Sequence, residues 1–380
     1  MLEGLAAGDS VDAVRDRFAE RHGETPDMAD FLAHLRAHGL IRPVGGAALE
    51  GLESPPFRDQ FGWIPQPVAK AFFSRPAWLV YLSTVFGAVA IVVAEPGLLP
   101  GWRAAYFPRD TAVMLVGLMA LGLLTTAFHE LGHVMAARAK GVATRFGIGN
   151  RLWFVVWETD MTGVWALPRR ERYLPILAGP LVDLISASAL VIVLWTTEVG
   201  WLTPPEKSLQ IARALLLIYL LRLVWQAYFF VRTDYYYAIT NAFNCKNLMA
   251  DTEAFLAERW ARVRGKNPSP SLEHLPHAEQ RAVRHYSLIW LLGRGAALGI
   301  LLFIQLPLLV SYGGLAVDGV AGFSRGGGAA IPATTWLPIL MFLLFFGAGM
   351  VMWLRPLIKS WLHALPSRRR PDSVEPAGHP

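Results

Sequence analysis

The residues with the most chemical content sit in one hexapeptide, Phe128-His129-Glu130-Leu131-Gly132-His133, an H-E-x-x-H pattern. On a helix, positions i and i+4 share a face, so both imidazoles can reach one ion. Glu130, between them, is then placed to address water on that ion. All three groups lie in an apolar stretch, where a charge costs roughly 2.5–3.5 kcal/mol to bury in lipid on insertion scales. Metal coordination gives a physical reason to tolerate them there. The chemistry this implies is metal-assisted hydrolysis, with zinc lowering the pKa of its bound water toward about 7 and Glu130 taking the proton.

A catalytic zinc takes three protein ligands and keeps one position for water, so a third ligand must come from elsewhere. Two acids lie in or at the end of other apolar segments, Asp183 in Leu177-Ala178-Gly179-Pro180-Leu181-Val182-Asp183 and Asp234 in Arg232-Thr233-Asp234-Tyr235-Tyr236. His133 lies about two turns from the end of its segment, Asp234 at the end of another and Asp183 about ten residues into a third. Depth alone does not separate the two acids.

The elements that must carry these residues are six apolar segments, each long enough for a hydrocarbon core about 30 Å thick. They run from Trp78 to Ala94, Thr111 to Lys140, Tyr173 to Thr197, Leu209 to Val231, Ser287 to Val310 and Thr334 to Leu354. Buried core helices of a soluble domain would need polar faces, which these segments lack. Composition agrees, with 54% hydrophobic and 17% charged residues, against about a quarter charged in soluble domains. Lys and Arg number eight before Trp78, seven from Arg138 to Arg172, eight from Arg232 to Arg284 and five after Leu354. The other three connections carry only Arg103 and Arg109, then Lys207, then Arg325. This alternation predicts a plasma (inner) membrane protein with both termini cytoplasmic. The first 60 residues hold no apolar signal-peptide core, which fits a cytosolic N-terminus.

The predicted fold is thus an all-α polytopic membrane protein of six transmembrane helices. A small cytosolic helical region precedes them over residues 1–45, followed by a linker over 46–77 rich in Pro and Gly. The membrane domain spans 78–365 and a disordered tail covers 366–380. Arg145 to Leu167 alternates apolar and polar residues like a short hairpin between spans two and three. Basic residues lie between apolar spans, which argues for anionic lipid and against nucleic acid as the partner of the +6 charge. A single cysteine, Cys245, excludes an intramolecular disulfide and a cysteine-rich zinc cluster. Arg213, Arg222 and Arg294 lie inside predicted spans and can line a polar path, though Arg213 and Arg294 lie near span ends, where they can simply snorkel. The Tyr235–Tyr237 run reads as an interfacial anchor, and His274 and His277 as solvated loop residues. Gly326–Gly328 lack the Lys-Ser/Thr of a phosphate loop.

With these residues in view, the chain resembles the site-2-protease-type membrane zinc metalloproteases, and more narrowly the bacterial peptide zinc metalloproteases. The resemblance rests on the metal motif, Thr159-Asp160, Trp165, Arg169-Arg170, Ala178-Gly179-Pro180 and the aspartate after the fourth span, over residues 110 to 250. It implies zinc held by His129, His133 and Asp234, with Glu130 as the catalytic base and Asp183 as a substrate-positioning group. Two positions depart from the family pattern: Tyr235 stands in place of a glycine, and Asp183 in place of an asparagine. The first bears on the turn holding Asp234 and the second adds a carboxylate near the metal, and together they keep Asp183 open as a ligand in place of Asp234. By the same analogy the hairpin pairs with an extended peptide or protein substrate as an added strand; a membrane-surface aromatic hairpin fits the pattern equally. Val11 to Pro43 is similar to the last two helices of winged-helix domains that bind leader peptides, and an ordinary helical hairpin fits equally. That similarity implies a ribosomally made peptide as substrate and a peptide-export transporter as a further partner. The contrasting reading is a non-hydrolytic membrane subunit of a peptide-modification or export system that binds peptide in the same pocket. A secondary transporter is disfavoured, since no internal repeat of the spans is visible.

Overall fold

A computed structural model describes residues 10–22, 28, 59–105, 111–245, 247–268, 270–273, 275–307, 309–311, 313, 314, 317, 321 and 333–364. The chain divides into two compact units at Phe57 and Arg58. In the first, helix α1 (Val11–His22) starts where the Ser10 hydroxyl accepts a hydrogen bond from Ala13 N at 3.2 Å. Apart from Met28, the rest of the leader-peptide-domain resemblance, His274, the Gly326–Gly328 run and the tail from Pro366 lie outside the described residues.

The second unit is mostly helical. Among the described residues, four helices are long and apolar enough to cross a membrane: α3 (Arg75–Ala94), α5 (Tyr173–Glu198), α6 (Glu206–Gln226) and α9, which runs from His277 to Ser311. A π-helical turn at Leu301–Gln305 lies within α9. On α3, Leu79, Phe86 and Val93 are 69%, 68% and 76% exposed at seven-residue spacing. A water-soluble chain rarely leaves so long an apolar stripe uncovered, so these helices mark a membrane protein. The 29-residue helix α4 (Thr111–Ala139) and α10 (Ala333–Ala364) fall on the two remaining predicted segments.

Two boundaries differ from the sequence expectation in ways that matter for the site. The fourth apolar segment was expected to continue to Val231, but α6 ends at Gln226 and the chain unwinds before restarting as α7 (Asp234–Phe243). Hydropathy misses this break because Tyr228, Phe229, Phe230 and Val231 are apolar while out of the helix. Thr233 caps the new helix, accepting from Tyr236 N at 3.3 Å and donating to Gln226 O at 2.8 Å. Secondly, the stretch read as linker is folded from residue 59 onward. Ile64 and Ala69, the latter on α2 (Gln66–Ala71), pack against Val134, Met135 and Ala139 of α4. Arg138 of α4 holds Asp59 at 3.2 Å and the carbonyls of Gly62 and Ile64 at 3.2 and 3.0 Å.

Strands β1 (Arg145–Arg151) and β2 (Phe154–Asp160) form the expected antiparallel hairpin, with Arg145 opposite Asp160 and Arg151 opposite Phe154. Its tip is fixed by Trp153, 3% exposed, which packs in a cluster with Ala297 and Leu301 of α9 and Phe346 of α10. Within the tyrosine run, Tyr236 faces inward while Tyr235 and Tyr237 are partly exposed. Tyr236 is 5% exposed, packs with Leu248, Met249, Val283 and Tyr286, and its hydroxyl accepts from Met249 N at 3.0 Å. This cluster ties α7 to α8 (Leu248–Val263) and α9.

Helices α4 and α5 pack at very short range. A Cβ on Gly132 would stand 2.8 Å from Ala178 O and 2.8 Å from Val182 Cγ2. Small residues at both Gly132 and Ala178 permit the approach, as in close membrane-helix pairs. Ala88 of α3 and Leu216 and Tyr219 of α6 then pack on Ala187, Val191 and Leu194 of α5. Helix α5 is therefore the central element, touched by the metal-motif helix on one side and by α3 and α6 on others.

Candidate metal centre

His129, Glu130 and His133 are 5%, 7% and 3% exposed on α4. The two histidines present Nε2 atoms 3.3 Å apart. Asp234 enters from the first turn of α7, its Oδ2 at 3.1 Å from His129 Nε2 and 3.5 Å from His133 Nε2. Among the described residues these three side chains form a group able to share one ion. A tetrahedral ion with bonds of about 2.0–2.2 Å separates its ligand atoms by about 3.3–3.6 Å; the 3.3 and 3.5 Å separations fall in that range and the 3.1 Å one just below it.

The donor chemistry fits too. His129 Nδ1 lies 2.7 Å from Asp183 Oδ2, and His133 Nδ1 lies 2.7 Å from Pro175 O. Both partners accept, so each Nδ1 carries the proton and each Nε2 keeps its lone pair facing Asp234. Two nitrogen lone pairs and a carboxylate oxygen can thus converge on one point, an arrangement suited to holding a cation. Space for that cation is kept by Gly179, because a Cβ there would collide with Nε2 of both histidines.

Asp234 is held from two sides. Gln226 Nε2 donates to its Oδ2 at 2.9 Å, and Asp234 N donates to Gln226 Oε1 at 3.0 Å. The unwound stretch after α6 makes this possible by turning the chain back on the last residue of that helix. Tyr235 needs no left-handed backbone. Among the described non-glycine residues only Leu152 and Asn244 have positive φ.

Asp183 lies fully buried on α5, on the Nδ1 side of His129 and so behind the ring as seen from the ligand group. Its other oxygen is 3.5 Å from Arg222 Nη1. It does not line the cleft of about 900 Å³ that opens over His129, Glu130, His133 and Asp234. The other wall of that cleft is the hairpin, including Ile148, Trp157 and Thr159. Thr159 donates from β2 to Glu130 Oε2 at 2.7 Å. Arg169, at the start of the segment leading to α5, donates its Nε to Asn241 O at 2.6 Å and so fastens that segment to α7.

The structure thus brings together all five residues singled out in the sequence. It adds Gln226 and Pro175 as their immediate partners, together with Thr159 and Arg222, which the sequence had named without placing them here. The signal for Arg222 and Gln226 was present, as two polar side chains four residues apart in an apolar helix. No signal marks Pro175, which contributes only a carbonyl. The chain matches no protein-family model, no curated protein and no solved structure.

Proposed function

We propose that this chain is a membrane-embedded zinc metalloendopeptidase that hydrolyses a membrane-associated or ribosomally made peptide. The observation that carries the reading is the convergence of His129 Nε2, His133 Nε2 and Asp234 Oδ2 at tetrahedral spacing beside the Glu130 carboxylate. His129, His133 and Asp234 would hold the zinc. When bound, zinc supplies Lewis acidity to the scissile carbonyl and lowers the pKa of water toward about 7. Glu130 accepts the proton of the attacking water and returns it to the leaving amine. Thr159 keeps that carboxylate aimed, and Asp183 and the Pro175 carbonyl fix both histidines in the ligand tautomer. Six spans with both termini in the cytoplasm suit the alternation of Lys and Arg, with α4 and α10 joining the four apolar helices. The hairpin wall of the cleft suits an extended peptide lying against β2.

The test compares the purified protein with Glu130→Gln, using as substrate a peptide precursor encoded beside this chain. Glu130→Gln is expected to keep its zinc and to cut at least about 10²-fold more slowly, the usual span for losing a general base. Bound zinc with no Glu130-dependent cleavage would instead favour the non-hydrolytic peptide-binding subunit.

A further inference from the structure

Arg222 is an arginine in an apolar helix, and nothing in the reaction proposed above uses it. Its Nη2 donates to Thr125 Oγ1 at 2.6 Å, Thr126 Oγ1 at 2.9 Å and, more weakly, Gly122 O at 3.3 Å. These hold it against the turn of α4 that precedes His129, since Thr125 lies four residues before His129 on the same face. Its Nη1 faces Asp183 Oδ1 at 3.5 Å. Neither of those two buried atoms has a hydrogen-bond partner. Asp183 is fully buried, and a carboxylate at that depth needs a partner of opposite charge. Arg222 is the cation the structure places against it.

The position of Arg222 on α6 gives this contact a second meaning. Gln226, one turn later on the same face, clamps Asp234. One face of α6 therefore touches two of the three carboxylates around the centre. Gln226 reaches Asp234 directly, and Arg222 reaches His129 through Asp183. Together with a divalent ion, Arg222 balances the three carboxylates of Glu130, Asp183 and Asp234.

We propose that Arg222 is a positioning residue of the metal centre, acting through Asp183. It holds the carboxylate against His129 Nδ1 and so keeps His129 Nε2 turned toward the ion. The inference rests on the metal-centre reading above. Its chief consequence is that the effect of Arg222 on metal binding depends on residue 183 being a carboxylate, while its bonds to Thr125, Thr126 and Gly122 serve the packing of α6 on α4.

The experiment titrates cobalt(II) into metal-stripped full-length protein in detergent, following the visible absorption of the ion. It uses wild type, Arg222→Met, Arg222→Lys, Asp183→Asn and the Arg222→Met/Asp183→Asn double variant. Loss of a group supporting a metal ligand lowers metal affinity about 10–100-fold, which is the loss expected for Arg222→Met. Arg222→Lys, which restores the charge, is expected to recover part of that loss and to return the spectrum toward wild type. The double variant removes both charges and is expected to bind within about threefold of Asp183→Asn alone, so it tests the inference even if Arg222→Met does not fold. An Arg222→Met protein that binds cobalt like wild type with an unchanged spectrum overturns the inference. So does a double variant about tenfold or more weaker than Asp183→Asn, since Arg222 would then act by another route. Wild type that binds no cobalt overturns the metal-centre reading itself, and this inference with it.

Discussion

A methyl group on Gly179 would enter the space between the two imidazoles. Overpacking of this kind costs about 1–3 kcal/mol, and here the cost falls on the ion's place rather than on a core that can relax. Gly179→Ala is therefore expected to lower zinc affinity by about tenfold or more while the protein still folds, read by competition with a chromogenic chelator. Unchanged affinity would mean that the imidazoles do not converge beside this helix. A residue outside the site gives a second check. Cys245 is 5% exposed, and burial pushes its thiol up to about 11. The reactive form of cysteine is the thiolate, so the folded protein at pH 7.5 is expected to resist a maleimide that labels it fully after denaturation. Rapid labelling of the native protein would contradict the packing of α7 against α8.

At the scale of elements, the site depends on how α4 is pinned at its end. Asp59 accepts from Phe61 N at 3.1 Å and Thr144 N at 3.2 Å and pairs with Arg138 at 3.2 Å. Gln60 Oε1 accepts from Phe146 N at 2.8 Å. Residues 59–61 thereby clasp the end of the metal-motif helix and the first residues of β1. Losing an acceptor that serves two backbone N–H groups costs about 1–3 kcal/mol. Asp59→Ala is accordingly expected to lower the thermal unfolding temperature of the protein in detergent by a few degrees; a variant as stable as wild type would contradict the clasp. The hairpin and the apolar helices were legible in the sequence, because alternation and long apolar runs report directly on which faces are covered. The clasp and the break after Gln226 were not. Both depend on side chains meeting partners far away in sequence, as Asp59 meets Arg138 and Gln226 meets Asp234. Periodicity carries no trace of such pairs, and the apolar run through Val231 conceals the break.

At the scale of the molecule, the grouping of His129, Glu130 and His133 was legible because two histidines and a glutamate at helical spacing have few uses in an apolar helix. The choice between Asp183 and Asp234 was not legible from spacing, since both acids lie at similar depth along their segments; only the resemblance favoured Asp234. It is the fold that separates them, setting Asp234 before the Nε2 atoms and Asp183 behind one ring. The proposed topology makes its own forecast. On a Cys245→Ser background, a cysteine at Gly200 is expected to react with a membrane-impermeant reagent from outside intact cells, and one at Lys266 only after permeabilisation; the same side for both would refute six spans. The most direct test of the central claim is zinc content per chain, measured by mass spectrometry on protein purified without added metal or chelator. The account predicts about one zinc per wild-type chain, and almost none after His129→Ala, His133→Ala or Asp234→Ala. Wild-type protein without zinc, or the same zinc content in all three variants, would contradict it.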